Sequence, residues 1–109
     1  MIVTPDDVLN EIRQTRHELL KGSEALKQTE LAAERAELAA DLASDKAFMT
    51  AEGSIPERQA AARSASQVER DAAFVARAEH NRVRAKMRHY EAALVSLQAE
   101  LKWMRDEGA

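Results

Sequence analysis

Three histidines, His17, His80 and His89, are the residues best suited to proton transfer or metal binding. Histidine titrates near neutrality and ligates metals through either ring nitrogen. A metal site, however, needs converging donors, and neither an H-x-x-x-H nor an E-x-x-H spacing occurs. Glu79 and His80 are adjacent, so on a helix their side chains diverge. Glu30, Glu34, Glu37 and Asp41 recur at helical spacing. A di-iron bundle would point such glutamates inward beside Glu-x-x-His partners; here Ala and Leu fill the core positions, and the acidic run reads as a solvated face. The absence of Cys excludes disulfides, thiolate ligands and Cys nucleophiles. The serines lack an accompanying His/Asp pattern, and no glycine-rich phosphate loop is present. These residues define no catalytic, metal or cofactor site, and the expectation is a protein without enzymatic activity.

A basic stretch carries the strongest hint of chemistry. Arg77, Arg82, Arg84, Lys86 and Arg88 fall close together, with Glu79 the one acid among them. Arg84 and Arg88 are i, i+4 neighbours, as are Arg82 and Lys86, and a basic stripe on a helix can contact phosphates or an acidic protein. No aromatic is interleaved for base stacking except Tyr90, which the helical pattern assigns to the core. The competing expectation is a solvated or ion-paired face.

The elements that must position these residues are two long helices. Thr4-Pro5-Asp6-Asp7 is a start signal: Thr4 can cap, Pro5 suits the first turn, and the aspartates suit the positive end of the helix dipole. No Pro follows until Pro56, and Gly22-Ser23 is the one interruption. Gly53 suits a C-terminal cap, and Ser54-Ile55-Pro56-Glu57 is an S-x-x-E capping box. The spacing predicts a helix over 5–52, a turn at 53–56 and a helix over 56–106, in one domain spanning 1–109. Each helix would be roughly 75 Å long at 1.5 Å per residue, a length that needs a partner helix. The chain is 45% hydrophobic but only 4% aromatic, with much of the apolar content Ala, as expected of a coiled coil.

Folding at the turn sets two stripes against each other. Val8, Ile12, Thr15, Leu19, Gly22, Leu26, Thr29, Ala33 and Ala36 meet Leu101, Leu97, Leu94, Tyr90, Met87, Val83, His80, Ala76 and Ala73 in that order. The 3-4 steps predict antiparallel knobs-into-holes packing. His80 would face Thr29 as a polar layer, and Gly22 would make room for Met87. Toward the turn the seam is Ala-rich, with Ala36, Ala40, Ala43 and Ala47 expected against Ala61, Ala62, Ala65 and Ala72. Residues 1–54 carry 11 acidic and 6 basic side chains, and residues 55–109 carry 8 and 10. This opposition weakly favours the pairing and is screened by salt.

A second apolar set lies off the seam: Leu31, Leu38, Leu42, Phe48, Met49 and Phe74, with Val75, Val95 and Trp103 beyond them. One hairpin cannot cover both sets. The expected fold is therefore all-α, an antiparallel two-helix coiled-coil hairpin that dimerises into a four-helix bundle through these residues. No apolar run approaches about 18 residues and the N-terminus shows no signal-peptide pattern, so no membrane segment and a cytoplasmic location are expected.

The Trp-x-Gly turn that marks small helical-hairpin secretion substrates is absent, since the sole Trp is Trp103. The chain resembles small uncharacterised helical-hairpin proteins of actinobacterial phages at Thr4-Pro5-Asp6-Asp7-Val8-Leu9, at Ala51-Glu52-Gly53-Ser54-Ile55-Pro56-Glu57-Arg58 and at Asn81-Arg82-Val83-Arg84-Ala85-Lys86. The resemblance implies a phage accessory protein acting in the host cytoplasm and carries over no site residues. Together the two readings give a coiled-coil adaptor that binds itself and another protein. The alternative is a nucleic-acid-binding accessory of phage recombination or replication, using Arg77 to Arg88.

Overall fold

The computed structural model describes residues 3–108, and among them every regular element is a helix: α1 (Pro5–Thr50), α2 (Ile55–Ala65) and α3 (Gln67–Gly108). The start of α1 is held by a reciprocal cap. The Thr4 backbone N–H donates to Asp7 Oδ2 at 3.0 Å, and the Asp7 N–H donates to Thr4 Oγ1 at 3.3 Å. These bonds satisfy donors that the first turn leaves without intrahelical partners.

The helix ends differ from the sequence expectation by about two residues, the usual fraying distance. α1 stops at Thr50, whose hydroxyl donates to the Lys46 carbonyl at 2.9 Å. Gly53 takes a φ of 109°, a left-handed conformation that L side chains rarely adopt, and a Cβ there would meet the Glu57 carboxylate. Ser54 caps α2 by accepting from the Glu57 N–H at 3.3 Å, while its own hydroxyl donates to Glu57 Oε1 at 3.1 Å. Arg58 closes the turn from the far side: its Nε donates to the Phe48 carbonyl at 3.1 Å, and its guanidinium carbon lies 4.4 Å from the Phe48 ring centroid.

The expected unbroken helix over 56–106 is interrupted at Ser66, which separates α2 from α3 with φ −100° and ψ 9°. Ser66 is fully buried, so its hydroxyl must find a partner within the protein. It donates to the Ala62 carbonyl at 2.7 Å, a back-bond that bends helices. The Arg63 carbonyl in turn accepts from Arg70 Nη2 at 2.7 Å.

The chain packs as two compact units, Met1–Leu26 with Arg82–Ala109 and Lys27–Asn81. Each sets a segment of α1 antiparallel to a segment of α3, and α2 belongs to the second. In the first, the terminal unit, Val8, Ile12 and Leu101 are buried together, with Leu9, Leu94, Leu97 and Met104 packed against them. Gly22 lies against Met87 as expected: an added Cβ would strike the Met87 sulfur and come within 3.0 Å of its Cε.

The second, the hairpin unit, buries a different kind of residue. Its covered side chains are Ala33, Ala40, Ala62, Ala73, Ser66 and His80. Thr29 Oγ1 lies 3.0 Å from His80 Nδ1, which makes the polar layer. The stripe positions all prove buried or half-buried as far as Ala36 and Ala73. Nearer the turn the expected partners are corrected. Of the alanines expected there, Ala62 is buried, but Ala61, Ala65 and Ala72 are exposed, and Ser66 and Glu69 take the inward positions. The 3-4 steps running back from Ala73 land on these residues whatever their polarity. Glu69 Oε2 is left buried without a hydrogen-bond partner.

Candidate interaction surface

The large apolar residues of the hairpin unit lie outside its seam. Leu31, Leu38, Leu42 and Met49 on α1 are 46%, 59%, 60% and 75% exposed. Their steps of seven, four and seven put them in one row. Ala40 is buried in the seam, and Leu38 and Leu42 each stand two residues from it, roughly 200° around the helix in opposite senses. The row therefore runs along the side of α1 turned away from the seam. The terminal unit instead buries large apolar residues in its seam, Val8, Ile12, Met87 and Leu101, although Leu20 and Val95 are exposed there too.

Two of the expected interface residues are placed differently. Phe48 is half-buried beneath the Arg58 guanidinium, so it belongs to the turn. Phe74 is 77% exposed on α3, beside buried Ala73, and lies off the α1 row. Val68 and Val75, also on α3, are exposed as well. The α1 row itself is completed by two charges at the intervening positions, Arg35 and Asp45, both exposed. Among the described residues neither has an ion pair or hydrogen bond. Sequence reading passed over them because a charge within an apolar row looks like an interruption.

The basic residues do not form one stripe. Arg77 belongs to the hairpin unit, where its guanidinium is paired with Glu37 across the seam. In the terminal unit, Arg82 and Lys86 line a shallow hollow of about 300 Å³ with Glu18, Lys21 and Tyr90, and the Lys86 ammonium lies 5.9 Å from the Tyr90 ring centroid. Arg84 and Arg88 are exposed on another side of α3, since Arg84 is roughly 200° round the helix from both Arg82 and Lys86. Among the described residues no three His, Asp or Glu side chains converge on a metal-sized site, and no helix is long and apolar enough to cross a membrane.

Comparison with protein-family models, with curated proteins and with solved structures finds no match to this chain. The functional reading therefore stands on the geometry of the two units.

Proposed function

We propose that this chain is a non-enzymatic coiled-coil interaction protein whose α1 row, Leu31, Leu38, Leu42 and Met49, binds a second copy of itself. The observation that supports it is the inverted hairpin unit: alanines inside, leucines and a methionine outside. An exposed row of large apolar residues of this kind usually marks an interface. Two copies joined there set four helical arms together, with the α1 segments innermost. The resemblance to phage hairpin proteins supports a wider role as an accessory adaptor that carries this assembly to another protein.

Sedimentation at tens of micromolar, a concentration on the order of the weakest useful dimers, tests the reading. Wild type should sediment as a dimer, and the double substitution Leu38→Glu, Leu42→Glu should give a helical monomer. A wild-type monomer would refute self-association.

A second reading, contact with nucleic acid, is supported by Arg84 and Arg88, which are exposed and have no ion-pair partner among the described residues. Reversing both to Glu should then abolish retention of single-stranded DNA and flatten its salt dependence. Absence of retention by wild type at low salt ends that reading.

A further inference from the structure

We infer that the second copy docks antiparallel on α1, about a two-fold axis beside Ala40, with Arg35 of each copy paired to Asp45 of the other. The inference rests on the self-association just proposed and adds its register. The row Leu31, Arg35, Leu38, Leu42, Asp45 and Met49 advances in steps of four and three, the spacing of a coiled-coil seam. Laid antiparallel on itself about that axis, Leu31 faces Met49, Arg35 faces Asp45, and Leu38 faces Leu42. Every apolar residue then meets an apolar one, and every charge meets its opposite.

The competing registers fail on these same residues. A parallel pairing sets Arg35 against Arg35 and Asp45 against Asp45. Sliding the antiparallel pair by one heptad sets Leu42 against Asp45 in one direction and Arg35 against Leu38 in the other. Each mismatch buries a charge against an apolar group or a like charge, which is costly in a seam.

The charges also lack any local purpose. The helical neighbours of Arg35 are Leu31, Ala32, Leu38 and Ala39, with no acid among them. Those of Asp45 are Asp41, Leu42, Phe48 and Met49, with no base. One unfavourable contact comes with the register, because Asp41 flanks the axis near its own copy. Asp41→Asn should accordingly tighten the dimer.

Charge exchange tests the register. Arg35→Asp alone and Asp45→Arg alone should each weaken the homodimer on the order of tenfold or more, by placing like charges together at two symmetric sites. Mixing these two variants should yield a heterodimer, and combining both changes in one chain should restore the homodimer. Circular dichroism should show unchanged helix content, since both sites are exposed and, among the described residues, unpartnered. The absence of native Cys allows a second measurement. Ala39→Cys, close to the axis, should oxidise to a linked dimer, whereas Leu31→Cys should not link to itself. If wild type dimerises but the charge variants associate as it does, or Leu31→Cys links readily, the antiparallel register is overturned and self-association stands. If wild type is a monomer, both fall.

Discussion

Gly22→Ala should destabilise the protein, although Ala is the better helix former by about 1 kcal/mol. The new methyl group would occupy the place of the Met87 sulfur, with Met87 Cε only 3.0 Å away. Met87 is 9% exposed, so although its thioether end is flexible, moving it aside gives up part of its packing in the seam. Overpacking of this kind costs about 1–3 kcal/mol. Taking about 2 kcal/mol for the displacement, the net loss is about 1 kcal/mol, a fall in Tm of about 4 °C for a chain of this size. Met87→Ala alone should cost about 2 kcal/mol or more through lost burial. On that background the obstruction is gone, so Gly22→Ala should now raise stability by about 1 kcal/mol. The sign reversal corresponds to a coupling of about 2 kcal/mol, well above the scatter of additive pairs. Urea melts of the four proteins, followed by far-UV circular dichroism at matched concentration, measure it. Equal stabilisation by Gly22→Ala in both backgrounds would refute the claim that the glycine makes room for Met87.

Three further outcomes follow from the packing. Leu97→Asp should lower the melting temperature sharply by bringing a charge to the Val8, Ile12 and Leu101 cluster, while exposed Glu34→Gln should leave it nearly unchanged; equal effects would overturn the register of the terminal unit. Glu69→Met should stabilise the hairpin unit by about 1 kcal/mol, since it removes a buried carboxylate oxygen without a partner, and a loss of stability in thermal melts would mean that the carboxylate is engaged. The Thr4 backbone N–H, and then its side chain, hold the Asp7 carboxyl below the usual aspartate range. Because that pKa is depressed by folding, its contribution to the first turn is present above the ordinary aspartate value and is lost as pH falls through the folded value. Protection of the first-turn amides of α1, measured against their intrinsic exchange rates, should fall across that acid range in wild type but not in Asp7→Asn.

The seam was legible because α1 and α3 keep their 3-4 steps and the turn at Gly53 sets which residues meet. Val8 with Leu101, Gly22 with Met87 and Thr29 with His80 all follow from that one constraint. The break at Ser66 was not legible, since an interior serine is usually harmless in a helix and acts on the backbone only when burial denies its hydroxyl water. The inward turn of Glu69 was missed for a related reason: ranking residues by polarity favoured the nearby alanines, whereas helical phase decided the matter. The pairing of Arg77 with Glu37 and the cover that Arg58 gives Phe48 depend on how long side chains reach across the seam, which spacing alone does not specify. Of the exposed row, the leucines and Met49 were legible. Arg35 and Asp45 were not, because the role proposed for them appears only when the row is set against a copy of itself.

The alanine seam of the hairpin unit has a consequence for how the protein behaves when dilute. Small side chains remove little apolar area from water, so the cohesion of residues 27–81 within one chain is low compared with that of the Val8, Ile12 and Leu101 region. A region with few large buried contacts opens locally at modest cost, and a partner that binds only its closed form slows that opening by mass action. Under the self-association proposed above, proteolytic nicking around the turn should slow as protein concentration rises, while cleavage within the terminal unit stays insensitive to it. On that proposal the hairpin unit would be long-lived only where the chain is abundant.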